Sequence, residues 1–123
     1  MESNQNHSGM IEKIYEVSRR IRYVAIYRDG QLQSWSKSDA AYASSAESDR
    51  YEELLVNPTL LKLATQRGEI DCGGLEYLLV RYGNFFQFIL PQTWGHVSVC
   101  IASGADPLQI GRLVWKVVQA AGQ

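Results

Sequence analysis

Residues 75–102 have the sequence LEYLLVRYGNFFQFILPQTWGHVSVCIA, and this stretch decides the fold. It contains three mainly apolar runs, at 75–82, 85–90 and 96–102. The connections between them are short and contain Gly83-Asn84 and Gly95, so the stretch predicts three antiparallel strands in sequence order. The first two runs are apolar on both alternations, which is typical of a sheet that is covered on both faces.

A further pair of strands is predicted upstream. Residues 23–27 form an aromatic and β-branched run that leads to Asp29-Gly30, and residues 32–36 follow closely. Asp-Gly tolerates the positive φ angles of a type I′ turn, so the two runs are expected to form an antiparallel hairpin. The second run is polar, as a solvent-facing edge strand should be.

Three helical regions accompany the strands. The first has apolar side chains at helical spacing, at Met10, Ile14, Val17 and Ile21. The last opens at Asp106-Pro107, an N-cap residue followed by proline at the first helical position. The middle region, 49–67, contains Pro58, which disfavours helical dihedrals at the preceding residue and predicts two short helices or one kinked helix. Gly68 is the expected end of this region.

These elements predict a three-layer α+β domain in the order α-β-β-α-β-β-β-α. An antiparallel five-stranded sheet carries the first and last helices on one face and the broken helix on the other. Residues 1–8 are expected to be a disordered tail, 9–121 a single domain, and 36–48 a small and polar connection inside it.

A two-fold dimer is predicted from excess apolar surface. The region 49–67 has a wider apolar stripe than packing against one sheet requires, and the run 75–82 would be an aggregation hazard as a free edge. A second copy covers both at once. The predicted dimer interface comprises Leu54, Leu55, Leu60, Leu61, Leu75, Tyr77, Leu79 and Arg81. The alternative is a monomer in which 36–48 covers the edge.

The order of elements resembles the roadblock/dynein light-chain family of profilin-like domains. The local similarities are the hairpin at Asp29-Gly30, the hairpin sequence YLLVRYGN at 77–84, and the last helix after a polar loop. The resemblance implies a homodimer or heterodimer with a continuous sheet. It also implies an adaptor for dynein, or a scaffold or regulator of Ras-like GTPases. The chain departs from the family at Asn57-Pro58 and at Asp71-Cys72-Gly73-Gly74.

Composition excludes several classes of protein. Twelve basic and thirteen acidic residues give a net charge of −1, which argues against a nonspecific nucleic-acid binder and against a polybasic membrane anchor. No apolar run is long enough to span a membrane, and the first nine residues lack the features of a secretory signal. Two scattered cysteines, Cys72 and Cys100, fit a reducing compartment, so a cytoplasmic protein is expected.

No catalytic, metal or cofactor site is predicted. His96, Ser98 and Cys100 share one strand face, but residues two apart on a strand are too far apart for a nucleophile and its base. Packing under a helix explains Ser98 and Cys100, and a capped or surface position explains His96. Phosphate-binding glycine motifs are also missing, so the chain is not itself expected to hydrolyse nucleotides.

Candidate partner-binding residues are Glu52, Glu53, Trp35 and Trp94. The two glutamates belong to an acidic group near the start of the middle helix, which serves either the helix dipole or a basic partner. The tryptophans lie near turns and are either core residues or interaction anchors. The string 71–74 is either a simple turn into the next strand or a contact loop.

The sequence therefore predicts a non-enzymatic homodimeric module that binds or regulates a small Ras-like GTPase or another signalling partner. The alternative is a small-molecule sensor of profilin-like or PAS-like form, which requires a roomy pocket with a few convergent polar groups.

Overall fold

The structure is a computed structural model that describes residues 7–37 and 46–121. Its strands are β1 (Ile21–Arg28), β2 (Gln31–Ser36), β3 (Leu78–Arg81), β4 (Phe85–Gln92) and β5 (Gly95–Ala102). Its helices are α1 (Ser8–Val17), α2 (Ala46–Tyr51), α3 (Asn57–Asp71) and α4 (Pro107–Ala121), with a π-helical segment at Glu52–Val56. The strands form one antiparallel sheet in the order β2-β1-β5-β4-β3, which confirms the predicted fold class.

Helices α1 and α4 cover one face of the sheet, where the hydrophobic core lies. The core side chains from the strands include Val24, Ile26, Phe88, Leu90, Val97, Val99 and Ile101. Ile11 and Ile14 of α1 and Val114 of α4 complete it. Helix α4 lies close to the sheet at Gly111. A Cβ on that residue would stand 2.6 Å from the ring of Phe88.

The segment from α2 to α3 covers the opposite face, so the three-layer prediction is also correct. The predicted non-helical conformation of Asn57 is wrong, however, since Asn57 has helical dihedrals of φ −63° and ψ −45°. Its amide donates to the carbonyl of Glu52, five residues earlier, which is the π-helical hydrogen bond. A proline inside an α-helix clashes with the carbonyl four residues earlier, and the wider π-helical turn accommodates Pro58 without a break.

Several predicted boundaries also move. Ile21 begins β1 instead of ending α1, because the chain is already extended at Ser18. Ser8 begins α1, and residues 1–6 of the predicted tail lie outside the described residues, as do residues 38–45 of the predicted connection. Helix α3 continues past Gly68 to Asp71, and the Gly68 carbonyl accepts hydrogen bonds from the amides of Cys72 and Gly74.

The edge strand β3 is shorter than predicted. It begins at Leu78, so Leu75, Glu76 and Tyr77 lie outside the sheet ladder. Two glycines with positive φ, Gly73 and Gly74, precede this extended stretch and lead the chain out of α3. The two sheet edges are β2 and β3, as the polar and apolar edge predictions required.

Within 7–37 and 46–121, each helix is too short or too polar to cross a lipid bilayer.

Two turns beside the C-terminal end of β1 depend on positive φ angles. Asp29 and Gly30 have φ angles of 52° and 85°, in agreement with the predicted type I′ hairpin. Gly95, at the start of β5, has a φ of 150°, and a Cβ there would stand 1.9 Å from the carbonyl oxygen of Tyr27.

We therefore expect Gly95→Ala to lower the free energy of unfolding by roughly 2–4 kcal/mol, because both the backbone strain and the clash with β1 must be relieved. Gly83→Ala is the matched control, since a Cβ on Gly83 meets nothing within 4 Å. Urea denaturation of both variants measures the difference. Equal stability of the two variants would show that β1 and β5 separate here at little cost.

Candidate functional site

A buried polar cluster lies between the π-helical segment and the sheet. It consists of Glu53, Asn57, Gln87, His96 and Ser98, each no more than 1% exposed. Glu53 and Asn57 are four residues apart and project from the same side of the helical segment. Gln87 of β4 and His96 and Ser98 of β5 face them because alternate residues of those strands point away from the α1/α4 core.

Hydrogen bonds connect the cluster. Glu53 Oε1 lies 2.7 Å from His96 Nε2 and accepts a 3.0 Å hydrogen bond from Asn57 Nδ2. Asn57 Nδ2 is also 3.4 Å from Ser98 Oγ, which in turn accepts from Gln87 Nε2. Charged and polar groups removed from water need such partners, so the cluster fixes the helical segment on the sheet.

Two predictions are corrected by this cluster. Glu53 is not part of an exposed acidic surface, because it is fully buried and paired with His96. His96 is not a capped or surface histidine, for the same reason. The contribution of Asn57 and Gln87 was missed. The alternation of polar residues along β5, beneath an acidic helix, is the signal that points to it.

A pocket of about 440 Å³ opens beside the cluster, between the helical segment and the end of β3. Its lining includes the acidic residues Asp49, Glu52 and Glu53. Tyr82 donates hydrogen bonds of 3.1 and 3.3 Å to the two carboxylate oxygens of Glu52. Burial and the neighbouring Glu52 raise the pKa of Tyr82 to about 12, so the phenol stays protonated at neutral pH. This pocket is the feature that the small-molecule alternative requires.

Cys100 also lines the pocket, and its thiol donates a 2.9 Å hydrogen bond to Gln87 Oε1. Burial raises the pKa of this thiol, and the nearby carboxylates raise it further. A protonated, hydrogen-bonded thiol is a poor nucleophile, so the geometry gives Cys100 a packing role. Cys72 is exposed after α3, where its thiol lies beside the Asp71 carboxylate.

The helical segment carries a set of exposed large apolar side chains along its length. Its members are Tyr51, Leu54, Leu55, Leu60, Leu63 and Ile70, which we call the outer row. Leu55, Leu63 and Ile70 are 53%, 62% and 75% exposed. Leu54, Leu55 and Leu60 are therefore placed as the predicted interface requires. Leu61 is not, because it is 8% exposed and points toward the subunit's own interior.

The predicted interface residues in and near β3 differ in how far they are exposed. Tyr77 is 42% exposed and its ring lies 5.2 Å from that of Phe88, whereas Leu75 is half-buried. Leu79 packs against the subunit's own core. Arg81 is exposed, with its guanidinium 4.6 Å above the Phe86 ring.

The two predicted tryptophan anchors lie elsewhere. Trp35 is 52% exposed on β2, at the sheet edge opposite β3. Trp94 is half-buried in the turn before β5, with the Arg28 guanidinium 4.9 Å from its ring and the His7 ring stacked at 6.3 Å. The structure therefore does not bring the tryptophans together with Glu52 and the outer row.

Comparison with solved structures gives consistent matches over nearly the whole chain. MglB with a tetrameric arrangement is 12% identical, with a TM-score of 0.70, over 98% of this chain and 90% of that one. A Roadblock/LC7 domain from Streptomyces avermitilis is 14% identical, with a TM-score of 0.67, over 94% and 90%. MglC from Myxococcus xanthus is 13% identical, with a TM-score of 0.59, over 94% of each chain.

At the level of sequence, no family profile and no curated protein matches the chain. Identities this low carry the fold and nothing finer. The agreement in architecture with three separate solved structures nevertheless bears out the resemblance noted from the order of elements: this chain has the roadblock/LC7 fold.

Proposed function

We propose that this chain is a non-enzymatic, cytoplasmic scaffold that forms a homodimer and binds a small Ras-like GTPase. The observation that carries the proposal is the outer row. Single exposed apolar residues are ordinary on a protein surface, but a row of six along one helical segment is typical of an interaction surface.

The outer row lies close to an unpaired strand edge. Among the described residues, β3 pairs only with β4, so its other edge is open. The helical segment reaches this edge at two points. Glu52 is bonded to Tyr82 just after β3, and Gly68 stands against the backbone of Gly74 and Leu75. A helix face continuous with a strand edge can pair with its own copy about a two-fold axis.

The choice of a GTPase as partner rests on the resemblance to the roadblock family. That resemblance implies a scaffold or regulator of Ras-like GTPases. In the proposed mechanism, the dimer binds one nucleotide state of the GTPase better than the other and so shifts its population.

Affinity capture with the tagged protein tests this proposal. Lysate of the native organism is divided and supplemented with GDP or with a non-hydrolysable GTP analogue, and bound proteins are identified by mass spectrometry. We expect a Ras-like GTPase to be enriched at least about tenfold in one nucleotide state over the other, which requires a difference in binding free energy of only ~1.4 kcal/mol.

The control bait is the Leu55→Glu variant, which removes an exposed member of the outer row. Recovery of the GTPase by the wild-type protein but not by this bait supports the proposal. Absence of any GTPase above the control in both nucleotide states contradicts it.

A further inference from the structure

The pocket beside the buried cluster is acidic. Its lining includes three carboxylates, from Asp49, Glu52 and Glu53, and it has no lysine or arginine among its described lining residues. Burial and the neighbouring Glu53 raise the pKa of Asp49. For Glu52, burial raises the pKa, the hydrogen bond from Tyr82 lowers it, and Glu53 raises it. The carboxylates thus sense one another in a partly desolvated site.

Glu53 supplies an unsatisfied acceptor. The side chain is fully buried, and its Oε1 is occupied by Asn57 and His96. Its other oxygen, Oε2, is buried and has no hydrogen-bond partner among the described residues. Buried carboxylate oxygens are rarely left without a donor, since the loss of solvation is costly. Because Glu53 lines the pocket, a ligand there can supply that donor.

The walls of the pocket are aromatic. Tyr23, Tyr51, Tyr82 and Phe85 all contribute to the lining. Aromatic rings attract organic cations through their π faces, and they exclude water from the carboxylates. A volume of about 440 Å³ is within the range of small-molecule sites. The described residues contain no group of three or more His, Cys, Asp or Glu side chains that could hold a metal ion.

We propose that this pocket binds an organic cation, an amidinium, guanidinium or ammonium group carried on an apolar body. The cationic N–H groups donate to Glu53 Oε2 and to the carboxylates of Asp49 and Glu52. The apolar body lies among the tyrosines and Phe85. The site shares Tyr51 with the outer row, but the proposal does not depend on the proposed dimer or on its GTPase.

Benzamidine and benzamide are the matched probes, because they have nearly the same shape and only benzamidine is charged at neutral pH. Isothermal titration calorimetry of the full chain with each compound measures the two affinities. We expect benzamidine to bind at least about tenfold more tightly than benzamide, since the amidinium adds a Coulombic attraction to the carboxylates that the neutral amide lacks. Equal affinities, or no binding of benzamidine at millimolar concentration, would overturn the proposal.

Three charge-neutralising variants locate the site. Glu52→Gln and Asp49→Asn each remove one carboxylate from the pocket, and each is expected to weaken benzamidine binding roughly five- to tenfold. Glu47→Gln is the matched control, because Glu47 is exposed on the same helix and does not line the pocket. If all three variants bind benzamidine as the wild type does, the cation binds elsewhere and the proposal is wrong.

A second pair of probes distinguishes a free cation from an arginine side chain. N-acetyl-arginine methylamide carries the guanidinium on a peptide backbone, and N-acetyl-norleucine methylamide is its neutral counterpart. Binding of both benzamidine and the arginine derivative indicates a pocket open to a protein side chain. Binding of benzamidine alone indicates a small free ligand, and both results support an organic-cation site.

Discussion

Leu55→Glu is expected to convert the protein from a dimer to a monomer. The wild-type chain should scatter light as a particle of about twice 13.9 kDa, and the variant as a particle of 13.9 kDa. Leu55 is 53% exposed in the single subunit, so the substitution leaves the subunit core intact. In the dimer it places a charge in an apolar contact, at an expected cost of about 3 kcal/mol, or roughly a hundredfold in Kd.

The matched control is Leu113→Glu. Leu113 is 41% exposed on α4, on the other side of the sheet from the outer row, and it is not among the residues that line the cavity beside Tyr77. The same change there should therefore leave the dimer unaffected. Leu79→Glu is a weaker test, because Leu79 packs against the subunit core and its loss would also destabilise the fold. A wild-type protein that is monomeric at micromolar concentration, or a dimeric Leu55→Glu variant, would contradict the proposed dimer.

The order and type of the elements could be predicted from the sequence because local signals agree with the fold. Asp29-Gly30 specifies its turn through positive φ angles, and Asp106 caps α4 with its carboxylate 3.2 Å from the amides of Leu108 and Gln109. Such signals lie within a few residues of each other. At these positions the local preferences and the tertiary structure therefore agree.

The middle helix could not be predicted because its geometry depends on the sheet. Pro58 disfavours a helix at Asn57, but one π-helical turn satisfies the proline and also brings Glu53 and Asn57 against β5. Local propensity does not include the pairing of Glu53 with His96, which is 43 residues away. The same long-range contact turned an expected acidic surface into a buried pair and an acidic pocket.

Which of the predicted interface residues are exposed could be predicted only in part, for a related reason. A leucine-rich helix signals which residues are apolar, but the sheet decides which of them it covers. Leu61 packs inward, while Leu63, only two residues later, is 62% exposed. Since Leu63 and Ile70 are seven residues apart, about two turns, they lie on one face of α3 and extend the outer row beyond the predicted set.

Glu53→Leu is expected to lower the free energy of unfolding by about 3–5 kcal/mol, the usual cost of breaking a buried ion or hydrogen-bonded pair from one side. The substitution removes the acceptor for both His96 Nε2 and Asn57 Nδ2 and leaves these buried donors without it. Glu47→Leu on the exposed start of the same helix should change stability by less than about 0.5 kcal/mol. Urea denaturation measures both changes in the free energy of unfolding. The variants are expected to have the same m-value as the wild type.

The double variant Glu53→Leu/His96→Leu distinguishes the energy of the Glu53–His96 interaction from the packing contribution of each side chain. When both partners are replaced by apolar side chains, no buried histidine is left without its acceptor, so the combined loss should be smaller than the sum of the two single losses by at least about 1 kcal/mol. Additive losses would show that Glu53 and His96 act independently. A Glu53→Leu variant as stable as the wild type would show that the buried cluster does not hold the helical segment on the sheet.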